Sequence, residues 1–328
     1  MPKISVIVPI FNVAPYIQRC AKSLFEQTID DIEIIFIDDC SPDNSMALLN
    51  EEIERYRNFL KEKKIRVREF RMPSNGGQAA VRRQGLLLAE GDYVIHCDSD
   101  DWVDTSLYEE MYAEAVRVDA DVVICPIRDE YVSKGITRPM ECLGDNCQAV
   151  LQNWYQNPVG MFSWNKLVKR KIYIAHDLLP FEGVNMWEDN GMMLRVFYYA
   201  NKLAQTSNAV YHYNQANTSA MTNGYGRKAI NQMISCARQL DIFFREKRDY
   251  KSFEKTNNAI KFLAKLNLVT SRFSWLKEFY SLFPESNTAI SDIPKNAFSK
   301  KGYLRFLFVK YHLSWLFVIL FKLRKLFT

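Results

Sequence analysis

The stretch Ile32-Glu33-Ile34-Ile35-Phe36-Ile37-Asp38-Asp39 is apolar at every position from 32 to 37 except Glu33. An apolar run without alternation is typical of a β-strand that is buried on both faces, as in a parallel sheet covered by helices. Two carboxylates, Asp38 and Asp39, follow at the carboxyl end of this strand, which is the edge where open α/β sheets bind ligands. The stretch therefore predicts an α/β fold with a pocket beside these two residues.

Similar apolar runs recur along the first 125 residues, with amphipathic segments between them. The predicted strands are residues 4–8, 32–38, 65–70, 92–97 and 121–125. This alternation indicates a mostly parallel sheet flanked by helices. From residue 126 to about 215 the pattern is less regular and rich in aromatic side chains, with helices predicted at 148–156 and 188–200. Residues 226–283 again have helical periodicity.

The composition fits a globular chain of one or two domains, since 48% of its 328 residues are hydrophobic. The seven cysteines form no CxxC pair and no zinc-finger spacing, and their odd number argues against a disulfide framework. Met1-Pro2-Lys3 leads directly into the first predicted strand. We therefore expect no signal peptide, a reducing compartment and a cytoplasmic protein.

The net charge of +5 is distributed unevenly along the chain. The last 36 residues contain eight basic residues and no acidic one, so the rest of the chain is close to −3. Basic charge confined to the tail does not resemble a nucleic-acid-binding surface, and we expect no nucleic-acid partner.

Within the tail, residues 313–321 are apolar apart from Ser314, and basic residues flank them. This run is too short to cross a bilayer, which needs about 20 apolar residues. Trp315, Phe317 and Phe321 with basic flanks predict an interfacial helix on an anionic membrane surface. The alternative is a C-terminal helix packed on the body of the protein.

A cluster of three carboxylates follows the fourth predicted strand, in Asp98-Ser99-Asp100-Asp101. Anions this close repel one another, which a divalent cation and a phosphate-bearing ligand would offset. Oxygen ligands favour Mg or Mn over zinc. We expect Asp98 and Asp100 to point the same way on extended backbone, while Asp101 begins the turn into a helix.

Four segments, taken in order, resemble the inverting family 2 glycosyltransferases of GT-A fold. They are Ser5-Val6-Ile7-Val8-Pro9-Ile10-Phe11-Asn12, Ile37-Asp38-Asp39-Cys40-Ser41-Pro42, the segment from Asn75-Gly76-Gly77 to Arg82, and Asp98-Ser99-Asp100-Asp101. The resemblance covers about the first 220 residues. It implies a Rossmann-like GT-A domain that transfers one sugar, with inversion and with Mn or Mg, from a nucleotide sugar to a hydroxyl group. A UDP-sugar donor is expected, and the acceptor is expected to be a glycan, lipid-linked as in lipopolysaccharide or capsule synthesis.

The same resemblance assigns roles to individual residues. Asp189 is the expected catalytic base, Asp100 and Asp98 the metal ligands, and Arg82 the diphosphate contact. Asp39 is expected to accept from the nucleotide base. The other residues expected at the nucleotide are Pro9, Phe11, Asn12, Ser41 and Ser99, with Asp98 also touching the ribose.

Each of these residues also has a purely structural interpretation. Asp39 could belong to an acidic turn, Arg82 could be a solvated helix residue, and Glu188-Asp189 could serve a helix dipole. Trp164 could stack on a sugar or be buried in the core. The segment from Tyr211 to Ser219 resembles one that closes over the diphosphate, with His212 as a candidate contact.

We predict a GT-A domain over residues 1–225, a helical extension over 226–290 and a membrane-associating tail over 291–328. Residues 1–125 would form its nucleotide-binding half and 126–225 its acceptor half. The protein would lie on the inner face of the cell membrane. The alternative is a non-catalytic nucleotide-sugar-binding or scaffold protein at the membrane, because Ala14, Cys40 and Arg83 depart from the family pattern. The first strand is followed by no glycine-rich loop, which disfavours nucleotidyl transferases and dinucleotide dehydrogenases.

Overall fold

The chain forms two units in a computed structural model that describes residues 1–138, 143–156, 160–217, 226–269, 273–293, 300–316 and 318–320. The first unit comprises residues 1–148 and 161–222, and the second comprises 149–160 and 223–328. The second unit thus takes the short segment 149–160 from the middle of the chain as well as the C-terminal helices.

A seven-stranded sheet forms the centre of the first unit. In spatial order its strands are β10 (Leu203–Gln205), β6 (Val122–Ile124), β9 (Lys166–Lys169), β4 (Tyr93–His96), β1 (Ile4–Ile10), β2 (Glu33–Asp38) and β3 (Arg66–Arg71). All pairings are parallel except those of β9, which runs antiparallel between β4 and β6. The five predicted strands and the mostly parallel α/β architecture are confirmed, and β9 and β10 are additions.

Helices cover both faces of this sheet, and its central strands β1, β2 and β4 are buried along almost their whole length. The helices of the first unit are α1 (Ile17–Phe25), α2 (Ser45–Glu62), α3 (Gln78–Leu88), α4 (Leu107–Val118), α6 (Arg170–His176) and α7 (Glu188–Tyr199), while α5 (Cys147–Gln152) crosses the division between the units. α3 lies so close to β1 that a Cβ on Gly85 would stand 2.3 Å from Ile7 Cγ2. Glycine at 85 therefore allows α3 to pack closely against β1.

A smaller four-stranded sheet stands beside this edge. Its spatial order is β5 (Trp102–Val103), β11 (Tyr211–Asn214), β7 (Ile127–Glu130) and β8 (Gly135–Thr137). β5 directly follows the acidic cluster and pairs with β11, so residues more than one hundred positions apart meet there. The sequence pattern did not indicate this sheet.

The second unit is helical, as the periodicity of residues 226–283 predicted. Its elements are α8 (Arg227–Arg245), α9 (Tyr250–Leu266), α10 (Phe273–Ser281), a 3₁₀ helix (Pro284–Ser291) and α11 (Lys300–Lys310). The buried ammonium group of Lys261 joins three of these elements, with Nζ 3.0 Å from Asp241 Oδ1 and 2.6 Å from Glu285 Oε1. The two carboxylates compensate the buried charge of Lys261, so the core can accommodate it.

The tail combines buried and exposed apolar residues where the structure describes it. Phe306, Val309 and Val318 are buried, whereas Trp315 is 52% exposed and Leu320 is 49% exposed. Phe317, Phe321 and the basic residues from 322 onwards lie outside the described residues. Within the described parts of the chain, no helix is both long enough and apolar enough to span a bilayer.

Candidate active site

The acidic cluster Asp98-Ser99-Asp100-Asp101 forms a tight turn just beyond the carboxyl end of β4. The amide of Asp101 donates to the carbonyl oxygen of Asp98 at 3.0 Å. The expectation of extended backbone was therefore wrong, because the chain reverses within the motif to enter β5. Ser99 is buried in this turn.

Asp101 is a structural residue. It is fully buried, and its carboxylate accepts from the Tyr211 hydroxyl at 2.7 Å and from the Asn214 amide at 2.7 Å. The Tyr211 hydroxyl in turn accepts from the amide of Asp98 at 3.0 Å. Burial raises the pKa of Asp101 well above its usual range, and Asp100 and Asp98 add to the rise. Asp101 thus fixes the turn to β11 and leaves the other two carboxylates for a ligand.

Asp98 and Asp100 are both partly buried. Asp98 Oδ1 accepts from Gln78 Nε2 at 3.2 Å and from Arg82, while Asp100 Oδ2 accepts from Asn217 Nδ2 at 2.8 Å. Burial raises the pKa of Asp100, and the charge of Asp98 raises it further. Two carboxylates held close against their mutual repulsion are suited to a divalent cation, so the expected metal ligands lie together.

Arg82 lies beneath these carboxylates and is 1% exposed. Its two terminal nitrogens donate to Asp98 Oδ1 at 2.7 Å and to Glu188 Oε1 at 2.5 Å. Burial alone would lower the pKa of Arg82, but the charges of Asp98 and Glu188 outweigh it and raise the pKa. We therefore correct the expected diphosphate contact, because the guanidinium group is enclosed and already paired. It is not a solvated helix residue either, and it instead fixes the positions of two acidic residues 90 positions apart.

Glu188 and Asp189 begin α7. Glu188 is buried and contacts Arg82, while Asp189 is only partly buried. Asp189 Oδ1 accepts from the amide of Asn190 at 2.7 Å and from Asn190 Nδ2 at 3.2 Å. Burial raises the pKa of Asp189. The positive charge of Arg82 lowers this pKa, and the negative charge of Asp98 raises it further. A carboxylate with a raised pKa is a stronger base, and the role of Asp189 as the catalytic base stays a prediction.

Asp39 lies at the amino end of α3. It is buried, and its two carboxylate oxygens accept from the amides of Gly76 and Gly77, each at 2.8 Å. The amide of Ala79 donates to Asn185 Oδ1 at 2.9 Å. These amides at the start of α3 are therefore engaged by protein groups. Each oxygen of Asp39 keeps a second lone pair, so contact with a nucleotide base stays a prediction.

The expected base and ribose residues line one rim at the end of β1. Phe11 is 48% exposed, Asn12 is exposed, and Pro9 is partly buried. The amide of Asn12 donates to Ser41 Oγ at 2.8 Å, which joins this rim to the loop after β2. Cys40, where the family pattern has glycine, has a left-handed φ of 58°. This conformation explains why the family pattern has glycine at this position, since a residue with a side chain adopts it only at an energetic cost.

The aromatic residues near the site are mostly structural. Trp164 is 4% exposed and stacks between Phe162, at 4.8 Å between centroids, and Tyr211, at 4.5 Å. It is therefore a core residue and is unavailable to stack on a sugar. His212 stacks on Trp102, and its two nitrogens contact Glu130 and Asp104 at 2.7 and 2.9 Å. The segment from Tyr211 to Ser219, which was expected to close over the diphosphate, lies outside the described residues from 218 onwards.

Four residues that the sequence did not single out support the site. Gln78 and Asn217 hold the metal-side carboxylates, Tyr211 holds the turn, and Asn185 holds the start of α3. They carry no recognisable signal, since each acts through a partner that is distant in sequence. Gln78, Tyr211 and Asn217 lay within segments that resemble the family, but none of the three was singled out.

The residues present fit a cation that shares its coordination with a ligand. Among the described residues, no group of three or more His, Cys, Asp or Glu side chains could by itself hold a metal ion. Mg typically binds one or two carboxylates together with substrate phosphates, which is what Asp98 and Asp100 would offer.

Comparison with known proteins decides the family. The sequence model of glycosyl transferase family 2 matches residues 5–176, which is more than half of the chain. The chain belongs to glycosyl transferase family 2. It is thus a glycosyltransferase, and the segments that resemble this family all lie within the first unit. The catalytic interpretation is confirmed over that of a scaffold protein.

Individual relatives and solved structures agree with this. The uncharacterized glycosyltransferase EpsJ of Bacillus subtilis (strain 168) is 27% identical over 250 residues, covering 74% of this chain and 70% of EpsJ. The structure of S. aureus TarS 1-349 in complex with UDP-GlcNAc is similar with a TM-score of 0.67 at 19% identity, covering 95% of this chain and 88% of TarS. The structure of the mannosyltransferase PcManGT from Pyrobaculum calidifontis in complex with GDP-Man and Mn2+ is similar with a TM-score of 0.57 at 14% identity. The match covers 96% of this chain and 87% of PcManGT. These likenesses confirm the GT-A fold.

Proposed function

We propose that this glycosyltransferase transfers a single sugar from a nucleotide sugar to a hydroxyl group of a glycan, with inversion at the anomeric carbon and with a divalent cation. The observation that carries the proposal is the position of Arg82, which joins Asp98 to Glu188 and so brings the metal-side carboxylates and Asp189 to one site. Residues 1–125 would bind the nucleotide and 126–225 the acceptor.

A UDP-sugar is the proposed donor. The TarS structure with UDP-GlcNAc supports this choice, while PcManGT was solved with GDP-Man. In this chain, Phe11 and Asn12 form an exposed rim next to Asp39, at the carboxyl edge of the sheet. A planar base could pack on Phe11 while Asp39 accepts from its ring NH. A carboxylate accepts without donating, which favours uracil over bases that present only acceptors there.

The proposed reaction is a single displacement. The acceptor oxygen attacks the anomeric carbon, the bond from that carbon to the diphosphate oxygen breaks, and UDP leaves with the electron pair. Asp189 takes the proton from the acceptor hydroxyl as the new bond forms, because a neutral alcohol is a weak nucleophile. Arg82 and Glu188 fix the start of α7, so that Asp189 need not reorganise during the reaction.

Asp98 and Asp100 would hold the cation. When bound, Mn or Mg supplies positive charge that offsets the charge developing on the departing diphosphate, so no general acid is needed. Gln78 and Asn217 keep the two carboxylates in place before the donor arrives.

Replacing Asp100 by Asn should weaken the binding of UDP in the presence of Mn2+ by at least about tenfold, because the cation contributes several kcal/mol of charge stabilisation. Titration calorimetry with UDP, with and without Mn2+, measures this effect. Asp92→Asn is a matched control, since Asp92 is exposed at the opposite end of the same strand. If Asp100→Asn and the control bind UDP and Mn2+ equally, the metal assignment is wrong.

The proposed function itself is tested with a panel of nucleotide sugars. We expect a UDP-sugar to raise the melting temperature with Mn2+ present, and to be hydrolysed slowly without acceptor. Stabilisation by GDP-sugars or CMP-sugars alone would contradict the UDP specificity. No stabilisation by any of them would contradict nucleotide-sugar binding.

We further propose that the tail holds the enzyme on the inner face of the cell membrane, close to a lipid-linked acceptor. Trp315 and Leu320 are about half exposed, Lys300, Lys301 and Lys310 precede them, and no acidic residue follows Asp292. Exposed apolar side chains beside basic ones are suited to an anionic lipid surface.

Deleting residues 303–328 should release the protein from anionic vesicles without changing UDP affinity. Because this deletion also removes buried residues such as Phe306, the double variant Trp315→Ser, Leu320→Ser is the sharper test. We expect it to lower vesicle binding at least about tenfold, since each buried apolar side chain contributes about 1.5–3 kcal/mol. Ile242→Ser is the control, because Ile242 is 59% exposed on α8. Equal sedimentation of all three proteins would contradict membrane binding through the tail.

A further inference from the structure

Asn185 contacts the first turn of α3 from the loop that leads into α7. Its Oδ1 accepts from the amide of Ala79 at 2.9 Å, and its Nδ2 lies 3.5 Å from the carbonyl oxygen of Gly76. The amides of Gly76 and Gly77 donate to Asp39. The short segment 76–79 is therefore held between Asp39 and Asn185.

Glycine at 77 is required for this contact. Gly77 has a φ of +77°, and a Cβ there would stand 2.4 Å from Asn185 Nδ2. The backbone of the α3 start can approach Asn185 this closely only because position 77 has no side chain.

The loop is anchored to α3 a second time, through Glu188. Glu188 contacts Arg82, which lies three residues after Ala79 on the same helix. Between the two anchors stands Trp187, whose φ of 67° places it in the left-handed region. An aromatic residue in this region is strained by about 1–3 kcal/mol, and it persists only when neighbouring contacts fix the backbone.

We propose that Asn185 is a positioning residue that links the nucleotide pocket at Asp39 to the loop carrying the base, Asp189. This inference rests on the proposed function. With Asn185 in place, the strained backbone at Trp187 is fixed on both sides, and Asp189 starts α7 in a defined position. A nucleotide that contacts Asp39 would further restrict the segment 76–79, and Asn185 passes this restriction on to the loop.

Asn185→Ala removes the first anchor. We expect kcat to fall about 100-fold, as for a displacement of a catalytic group by about 1 Å, with the KM for the donor changed less than about threefold. Asn185→Asp keeps the acceptor for the Ala79 amide and should recover most of the lost kcat. Glu182→Ala, an exposed change on the same loop, should behave like the wild type. A merely structural role would lower the melting temperature without this split between kcat and KM.

Hydrogen exchange gives a readout that does not depend on activity. In the wild-type protein, UDP with Mn2+ should slow amide exchange in a peptide spanning residues 183–190, and in Asn185→Ala this slowing should be lost although UDP still binds. If UDP binds and Asn185→Ala turns over and exchanges like the wild type, the inference is wrong. If the wild type does not bind UDP at all, calorimetry shows this directly, and the proposed function fails together with the inference.

Discussion

Asp189→Asn is expected to lower kcat for sugar transfer about 1,000-fold while leaving the affinity for UDP nearly unchanged, because the amide cannot take the proton of the acceptor hydroxyl. In the wild type, kcat should fall at acid pH as Asp189 becomes protonated. Burial raises the pKa of this group, so the fall should occur at a higher pH than the titration of an exposed aspartate. Transfer rates at saturating donor, measured from pH 4 to 9, test both expectations.

The control for this change is Asp177→Asn. Asp177 is exposed at the end of α6 with a φ of 48°, a conformation that Asn also tolerates, so the same chemical change there should leave kcat unaltered. If Asp189→Asn retains more than about a tenth of the wild-type kcat, Asp189 is not the base.

Arg82→Met is expected to be the most destabilising single change at the site. It would leave the buried carboxylate of Glu188 and the partly buried carboxylate of Asp98 without their shared cation. Removal of one partner from a buried ion pair costs about 3–5 kcal/mol of the free energy of unfolding. Urea denaturation, followed through the unfolding transition of the first unit, measures this loss of stability. Transfer activity should also disappear, because Asp98 and Asp189 lose their common support.

Arg83→Met is the matched control, since Arg83 is the next residue on α3 and is exposed. Its free energy of unfolding should stay within about 0.5 kcal/mol of the wild type. The double variant Arg82→Met, Glu188→Gln should recover part of the loss, because it removes one uncompensated buried charge. An Arg82→Met protein as stable as the Arg83→Met protein would show that the ion pairs do not form in solution.

The sequence predicted the elements that have a strong local pattern. The strands that became β1, β2, β3, β4 and β6, and the helix starting at Glu188, were placed to within a few residues because apolar runs and periodicity are local signals. β9 was missed because Lys166-Leu167-Val168-Lys169 has only two apolar residues and pairs antiparallel in a sheet that is otherwise parallel.

The site shows the same limit. Asp98, Asp100 and Asp189 could be proposed from their motifs, but the partners of Arg82 could not, since Glu188 is 106 residues away along the chain. Asp101 was expected to begin the turn into a helix and instead leads into β5, with its carboxylate accepting from Tyr211 and Asn214. Such contacts are set by how strands and helices pack, which a one-dimensional pattern does not contain.

The central claim is that a metal-bound nucleotide at Asp98 and Asp100 faces the carboxylate of Asp189 across one site. A crystal grown with UDP and Mn2+ tests it most directly, through the anomalous difference map at the manganese edge. We expect a peak shared by Asp98, Asp100 and the diphosphate, with Asp189 on the opposite wall of the same pocket. A peak elsewhere, or Asp189 opening onto a different surface from the bound diphosphate, would contradict the account.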